Sequence, residues 1–457
     1  MVISGCAIYK PEPISPATSA AAYEMRTLDN PELDFFIQRN VKRDLAAQPV
    51  AQWDLELLTL AAYYYHSDLD VARAKWGVAH AGELTAGMRP NPTVNVNVQR
   101  NADTSSDSSP WTLGLNLDIP IETAGKRGYR IEQARHLSEA ARIAIISTAW
   151  QVRSRVRSAL LDLHVAQKTQ EALLEQQRLQ RTNVTLLEHR LAVGMASTPE
   201  VTFARIALTQ STLALNDAER VQSDAQTRLA GSLGLASKAL DKVAIAPDPL
   251  TRSAALPTPE VRDQALLYRA DVLGALAEFA ASQSALQLEI AKQYPDAHLG
   301  PGYTWDQGAR KWSVGLALVL PVLNQNEGPI AEARARRVQA IANFDATEAR
   351  ALREIEVALS AYVASRRKLE TVEALIVEQN NRLRKAEASL EAGETDRVAL
   401  VGTQLEISQI ALTHVDALAK TQQALGALED AVQWPLSTPG TLANLIQDNP
   451  RISKEHQ

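Results

Sequence analysis

A single cysteine, Cys6, stands in 457 residues. That excludes a disulfide framework and any metal site built on cysteine. The 8 histidines are scattered and form neither an HExxH nor a Cys/His pattern. Gly125-Lys126-Arg127 lacks the rest of a phosphate-binding loop. Glu188-His189, on a long helical stretch, reads as a solvated pair and not as an acid/base site. No catalytic constellation emerges, so no enzyme activity, no cofactor and no metal site are expected. Basic charge is also short: 47 Lys and Arg face 53 Asp and Glu, for a net charge of -6. This excludes a basic surface for nucleic acid. No run of about 18 apolar residues exists, so no transmembrane helix is predicted. A membrane barrel would escape that test, because its strands alternate. Proline is missing from Glu122 to Leu191, and both proline and glycine from Ile330 to Ala392.

What the chain does have is a repeat. Leu69–Pro92 reappears in degenerate form as Val272–Pro295. Each copy leads into two strand-like segments and then a very long proline-free segment. Such duplication marks a unit that cannot close its own structure, and here it points to a tube or barrel of repeated parts. Thr93 to Val98 alternates strictly, as a half-buried strand does. In the next strand Trp111, Leu113, Leu115, Leu117 and Ile119 share one face; Thr112, Gly114, Asn116 and Asp118 share the other. In the second copy Trp312, Val314, Leu316, Leu318 and Leu320 form the apolar face, opposite Ser313, Gly315 and Ala317, with Val319 as an exception. Pro120 and Pro321 fall on the polar parity of their strands. The lengths, close to the 9–11 residues that cross a bilayer at a tilt, and the aromatic ends Trp111, Trp305 and Trp312 fit membrane strands with interfacial rings. A soluble sandwich is the other reading of such strands; two isolated pairs within a helical chain speak against it.

The long segments read as helices of roughly 100 Å each. Both end at glycine, Gly194 and Gly393, as helix C-termini turning into hairpins. The returning helices, from Pro199 to Leu235 and from Arg397 to Trp434, carry heptad seams. The first seam is Val201, Ala204, Leu208, Ser211, Leu215, Ala218, Gln222, Ala225 and Leu229. The second is Leu400, Thr403, Ile407, Ile410, His414, Ala417, Thr421, Ala424 and Leu428, with His414 expected to be a hydrogen-bonded seam residue. The domain division that follows is 1–52, a proline-rich extended lead with a short helix near Asn30–Val41; 53–245, a first repeat with strands near 93–100 and 110–121; 246–258, a linker; 259–436, a second repeat with strands near 297–305 and 311–322; and 437–457, a polar tail. At the start, Ile3-Ser4-Gly5-Cys6 has the pattern of a lipobox, which would make Cys6 a lipidation site. No hydrophobic signal region precedes it, so the expected start is truncated or assigned too far downstream. An ordinary N-terminal cysteine is the alternative.

From about Trp53 to Trp434 the chain resembles the outer membrane efflux protein family, the TolC-type outer-membrane factors. The local matches are Ala86-Gly87-Met88-Arg89-Pro90-Asn91-Pro92, Ile121-Glu122-Thr123-Ala124-Gly125-Lys126-Arg127 and Leu320-Pro321-Val322-Leu323-Asn324-Gln325-Asn326-Glu327-Gly328. The last two look most like the heavy-metal, cobalt-zinc-cadmium branch. The resemblance implies a mainly α chain with a small membrane β part, and a homotrimer in the Gram-negative outer membrane. Each chain would give four strands to a twelve-stranded β-barrel, continued by an α-helical barrel in the periplasm. A periplasmic adaptor and an inner-membrane RND pump would be its partners. Lipid anchoring at Cys6 fits, since many relatives are anchored at an N-terminal cysteine.

The resemblance also implies a gate and adaptor contact at the turns 193–201 and 390–400. Val193-Gly194-Met195 is similar to the family's adaptor-contact turn, and Glu200 falls where relatives carry an acidic gate residue. Ala399 and Gly402 replace the acidic ring of some relatives. Glu391, Glu394 and Asp396, beside Gly393, are left to supply negative potential or simply to be solvated. The expected function is a passive export duct for heavy-metal cations. A drug, small-molecule or type I secretion channel of the same family is the second reading. A soluble coiled-coil scaffold, which the seams alone would equally support, is the third.

Overall fold

Serine, asparagine and aspartate start the first three helices. In this computed structural model, which describes residues 8–41, 52–102, 109–241, 243–246 and 267–436, Ser15 caps α1 (Pro16–Glu24), Asn30 caps α2 (Pro31–Asn40) and Asp54 caps α3 (Leu55–Tyr65). The lead is therefore not wholly extended. Pro16 occupies the first helical turn, where its missing N–H costs nothing and its fixed φ is already helical. Cys6, loop residues 103–108, linker residues 247–266 and the tail from 437 lie outside the described residues.

The remaining elements are α4 (Ser67–Gly87), β1 (Thr93–Arg100), β2 (Trp111–Ile121), α5 (Lys126–Ala192), α6 (Thr198–Leu233), α7 (Ala270–Ala291), β3 (Ala297–Asp306), β4 (Ala309–Leu318), α8 (Glu327–Glu391) and α9 (Arg397–Val432). They divide into two compact units. One holds residues 1–69, 148–265 and 353–457; the other holds 70–147 and 266–352.

In the first unit, α5 packs against α6 through Leu173, Leu215 and Ala218. On the other repeat, α9 packs against α8, through Leu369, Val372 and Ala417 and through Ile355, Tyr362, Leu425 and Leu428. The α6 seam is buried at Val201, Ala204, Ser211, Leu215, Ala218, Ala225 and Leu229, and half-buried at Leu208 and Gln222. The α9 seam is buried at Thr403, Ala417, Thr421 and Leu428 only. Val401, Ser408, Leu425 and Glu429 are buried as well: Leu425 packs on α8, and Glu429 meets α5. His414 stays half-exposed, 3.9 Å from Glu373, so it is an ion-pairing neighbour at most and not the hydrogen-bonded residue expected.

The α5–α9 contact is charged and buried. Glu429, with 0% exposure, accepts from Arg153 at 3.1 Å, lies 3.5 Å from Arg157 and accepts from the Leu436 N–H at 2.9 Å. Arg157 also donates to the Gln422 carbonyl at 2.8 Å. Gly426 is needed beside it: a Cβ there would sit 2.0 Å from the Arg157 guanidinium. Asp430 accepts from Trp150 Nε1 at 2.9 Å and from the Ser154 hydroxyl, and burial raises its pKa. Residues 8–41 join this unit through Tyr23, whose hydroxyl donates to the Leu235 carbonyl at 2.7 Å. Arg26 bonds the carbonyls of Tyr65 and Gly234. The α3 helix, with ten of its residues buried, fills the space beneath.

In the second unit an antiparallel sheet runs β1-β2-β3-β4. Its two hairpins come from different repeats and meet where β2 pairs with β3. The β3–β4 turn is Gln307-Gly308, both at positive φ, the backbone that matches strand twist in a two-residue hairpin. The second and third of the motifs quoted above, around Lys126 and Asn326, prove to be junction ties. Thr123 donates from its N–H to Asp296 at 2.9 Å and from its hydroxyl to the Pro295 carbonyl at 2.6 Å. Lys126 bonds Asp296 at 2.8 Å and the Tyr294 carbonyl at 2.6 Å. Arg130 reaches Glu122 at 2.7 Å and the Ala86 carbonyl at 2.8 Å. In the second repeat Asn326 donates to the Glu289 carbonyl at 2.7 Å.

One strand boundary needs correction. β4 ends at Leu318, which pairs with Ala297, the first residue of β3. Leu320 therefore lies outside the sheet, and Val319 breaks no alternation because the strand has ended. Asp296 is held by Thr123 and Lys126, so no strand continues opposite Val319. Pro120, in contrast, stays within β2, paired with His298. β1 stops at Thr93 opposite Asp118, so Pro120 has a strand on one side only.

Removing one partner of a buried ion cluster leaves a bare buried charge, so Glu429→Ala will destabilise the protein by about 3–5 kcal/mol. Replacing Arg153, Arg157 and Glu429 together with apolar residues of similar volume will cost less. Denaturant unfolding followed by tryptophan fluorescence reads both, and a triple variant weaker than the single one would refute this account.

Candidate functional site

Two features of the chain can do work at a boundary: the sheet, which has two chemically distinct faces, and the pair of helical turns.

The sheet's register sorts its residues without ambiguity. Val94, Val96 and Val98 stand opposite Leu117, Leu115 and Leu113. Leu113 and Leu115 stand opposite Trp305 and Tyr303. Leu299, Pro301 and Tyr303 stand opposite Leu316, Val314 and Trp312. One continuous apolar face results, and it contains Trp111, Leu113, Leu115, Leu117 and Ile119 on β2 and Trp312, Val314, Leu316 and Leu318 on β4. It is open: Leu115 is 51%, Val314 78% and Trp312 82% exposed. Exposure of this kind over a whole sheet face marks a surface that another apolar phase covers. The opposite face is polar or small, with Asn95, Asn97, Asn116, Gly302 and Ser313. There His298 Nδ1 lies 3.0 Å from the Asp118 carboxylate, and Thr112 donates to Asp306 at 2.8 Å. Among the described residues, the edge strands β1 and β4 are each paired on one side only.

The two helical turns have matching backbones. Gly194 and Gly393 sit at φ 75° and 76°, the left-handed conformation that favours glycine. After α5, the Met195 N–H donates to the Arg190 carbonyl at 2.7 Å; after α8, the Glu394 N–H donates to the Ser389 carbonyl at 2.9 Å. Each is a Schellman closure. The next helices begin differently. Ser197 and Glu200 form a reciprocal capping box in which Glu200 accepts from the Ser197 N–H at 2.6 Å and hydroxyl at 2.7 Å. Those bonds, from hydroxyl and backbone, hold the Glu200 carboxyl below its ordinary pKa. Asp396 caps α9 by accepting from the Ala399 N–H at 2.9 Å and is also ion-paired with Arg190.

Asp396 is thus the one predicted turn residue that bridges the repeats. Its partner, Arg190, was not singled out from the sequence. The available signal was a basic residue in the last turn of α5, a position that is common at helix ends. Glu391 and Glu394 are exposed, and Glu394 accepts from the Ser389 hydroxyl at 3.3 Å. Val193 and Met195 are 69% and 72% exposed, and Phe203, also missed, is 71% exposed in the second turn of α6.

The sequence profile of the family described as outer membrane efflux protein matches residues 64–235 and 261–432. The cobalt-zinc-cadmium resistance protein CzcC of Cupriavidus metallidurans is 24% identical over 365 residues, 79% of this chain and 85% of its own length. The crystal structure of the outer membrane protein VceC from Vibrio cholerae superposes with a TM-score of 0.67 at 20% identity, covering 83% of this chain and 95% of VceC. The CusC channel superposes with a TM-score of 0.69 at 18% identity, covering 86% and 96%. These superpositions show a shared fold. With two family units matched across most of its length, one per repeat, the chain belongs to the outer membrane efflux protein family.

Proposed function

We propose that this protein is the outer-membrane duct of a tripartite efflux system, a passive trimer that carries heavy-metal cations outward. The observation that carries the reading is the four-stranded sheet with an open apolar face, a polar face and two unpaired edges. In hydrocarbon an unpaired edge leaves backbone donors and acceptors unsatisfied, and only closure removes it. Three copies joined β4 to β1 would close twelve strands, with the apolar faces toward lipid and the Asn- and Gly-rich faces toward water. The energy for transport would come from an inner-membrane RND pump, reached through a periplasmic adaptor. Similarity to CzcC supports a metal cargo. The exposed Val193, Met195 and Phe203 support an adaptor contact at the turns. The Arg190–Asp396 pair ties the two turns of one chain and is the element we assign to the closed gate. Glu200, absorbed in its capping box, shapes the turn. The exposed apolar face argues against a soluble scaffold, which would have nothing to cover it.

Three measurements test this reading. Extraction from outer membranes should yield trimers, and a soluble monomer would sink the proposal. Leu115→Lys and Leu117→Lys, on the lipid face, should each cost about 2–4 kcal/mol and reduce membrane-inserted trimer, whereas Asn95→Lys on the opposite face should insert normally. Equal loss in all three variants would count against the assignment of faces.

For the gate, Asp396→Asn keeps the helix cap but removes the ion pair, and it should raise single-channel conductance in planar bilayers. The Ala399 N–H above all, joined by Arg190, outweighs desolvation and holds the Asp396 carboxyl below its ordinary pKa. The part of that depression owed to Arg190 stabilises the closed form above the ordinary Asp pKa and is lost as pH falls through the lower value. Closed-state conductance should therefore stay flat from neutral pH to about pH 4 and rise only below it. A rise already between neutrality and that point would assign the gate to other groups.

A further inference from the structure

The lipid-facing side of the sheet carries charge at only one of its ends. Every outward position from Val94 to Val98, Leu113 to Ile121, Ala297 to Trp305 and Trp312 to Leu318 is uncharged. The two exceptions are Arg100, the last residue of β1, and Arg310, near the start of β4. Each stands directly across the ladder from a tryptophan, Arg100 from Trp111 and Arg310 from Trp305. The Arg100 guanidinium lies over the Trp111 ring at 5.8 Å. Both arginines are exposed, and among the described residues neither has a carboxylate partner. Lys311, one residue from Arg310, has the opposite parity and is neutralised by Asp306 at 2.7 Å. The sheet therefore pairs off its inward cation and leaves its outward ones bare.

Arg100 and Arg310 also lie on the two free edge strands. β1 runs toward its hairpin and β4 runs away from its own, so both arginines stand at the hairpin end. If the barrel closes as proposed above, on which this inference rests, β4 of one copy lies about 4.8 Å from β1 of the next. Arg310 of one chain and Arg100 of its neighbour then share a seam, on a face of low dielectric. Like charges there repel strongly, and a divalent oxyanion placed between two guanidinium forks converts that repulsion into charge-assisted hydrogen bonds.

The geometry points to a lipid site at each seam: Arg310 and the neighbouring copy's Arg100 clasp the phosphate headgroup of an anionic lipid in the leaflet at the hairpin end. Trp111 and Trp305 lie against the boundary between headgroup and acyl chain, where indole is favoured. The helix end of the same face has no such cations, so the site is specific to one leaflet. Neither arginine forms a complete site within one chain.

The test uses the full-length trimer in detergent, with native mass spectrometry after exposure to lipid A bearing two phosphates or to the same lipid dephosphorylated. The wild-type trimer should retain the phosphorylated lipid preferentially. Arg100→Gln with Arg310→Gln should weaken that retention about thirtyfold, from two surface cations at a lipid phosphate. Arg100→Lys with Arg310→Lys should keep most of it, and Lys311→Gln all of it. Wild-type trimers that insert and conduct but retain both lipids equally would overturn the clasp alone. So would a double glutamine variant that retains lipid as the wild type does. Should that variant fail to assemble, the comparison of the two lipids on the wild type decides by itself. A wild-type chain that never forms membrane-inserted trimers would overturn the duct and the clasp together.

Discussion

The carboxylate of Asp296 accepts the Thr123 N–H and the Lys126 ammonium within 2.9 Å, and the joint between the two hairpins rests on it. Asp296 precedes β3 in the second repeat; Thr123 and Lys126 follow β2 in the first. Although burial works against it, the bonds to Lys126 and Thr123 keep this carboxyl below its ordinary pKa. Lys126, itself buried, would be a bare charge without it. The tie sets where β2 meets β3, where β3 begins and, through the pairing of Ala297 with Leu318, where β4 ends. A sheet assembled from two duplicated hairpins needs such a register pin, because sliding by one residue would turn every apolar side chain to the wrong face.

The other unit solves the same problem with a second buried cluster. Arg153 and Arg157 on α5 meet Glu429 on α9, so the long hairpins of the two repeats are fixed to each other by charge and not by apolar packing alone. Burying these groups is costly in itself, but it fixes one alignment of two helices whose seams are rich in small, nearly interchangeable residues. Alanine, serine and threonine at the seams allow close approach and say little about register. The buried arginines and Gly426 supply the specificity that those residues lack.

The pins join the repeats but leave the ends of the assembly unfinished. β1 and β4 remain half-paired, the apolar face remains open, and the Val193–Met195 and Phe203 surface near the turns remains exposed. Each of these is unstable in water and sensible in a larger object. The duct proposal follows from that incompleteness, and the lipid clasp follows from asking what the closure would bring together.

Much of this was legible in the sequence. The alternation in Trp111–Ile119, the missing prolines of α5 and α8, the glycines at 194 and 393 and the α6 seam each reflect a local rule of backbone or periodicity, and local rules are written in adjacent residues. The turn motifs around Lys126 and Asn326 could be matched to a family but not explained, because their partners are Asp296 and Glu289. Leu320 was misplaced because strand ends are set by the partner strand. His414 was expected to be hydrogen-bonded, but Glu373 lies 3.9 Å away, too far for that bond. Arg190–Asp396 and Arg153–Glu429 join residues more than 200 positions apart, and no periodicity connects them. The sequence by itself determined the elements, their repeat and their apolar faces, since these depend on each residue's own backbone and hydration preferences. Only the tertiary structure decided which charges are paired and which are left bare, because pairing depends on distances that the chain sets only once it has folded.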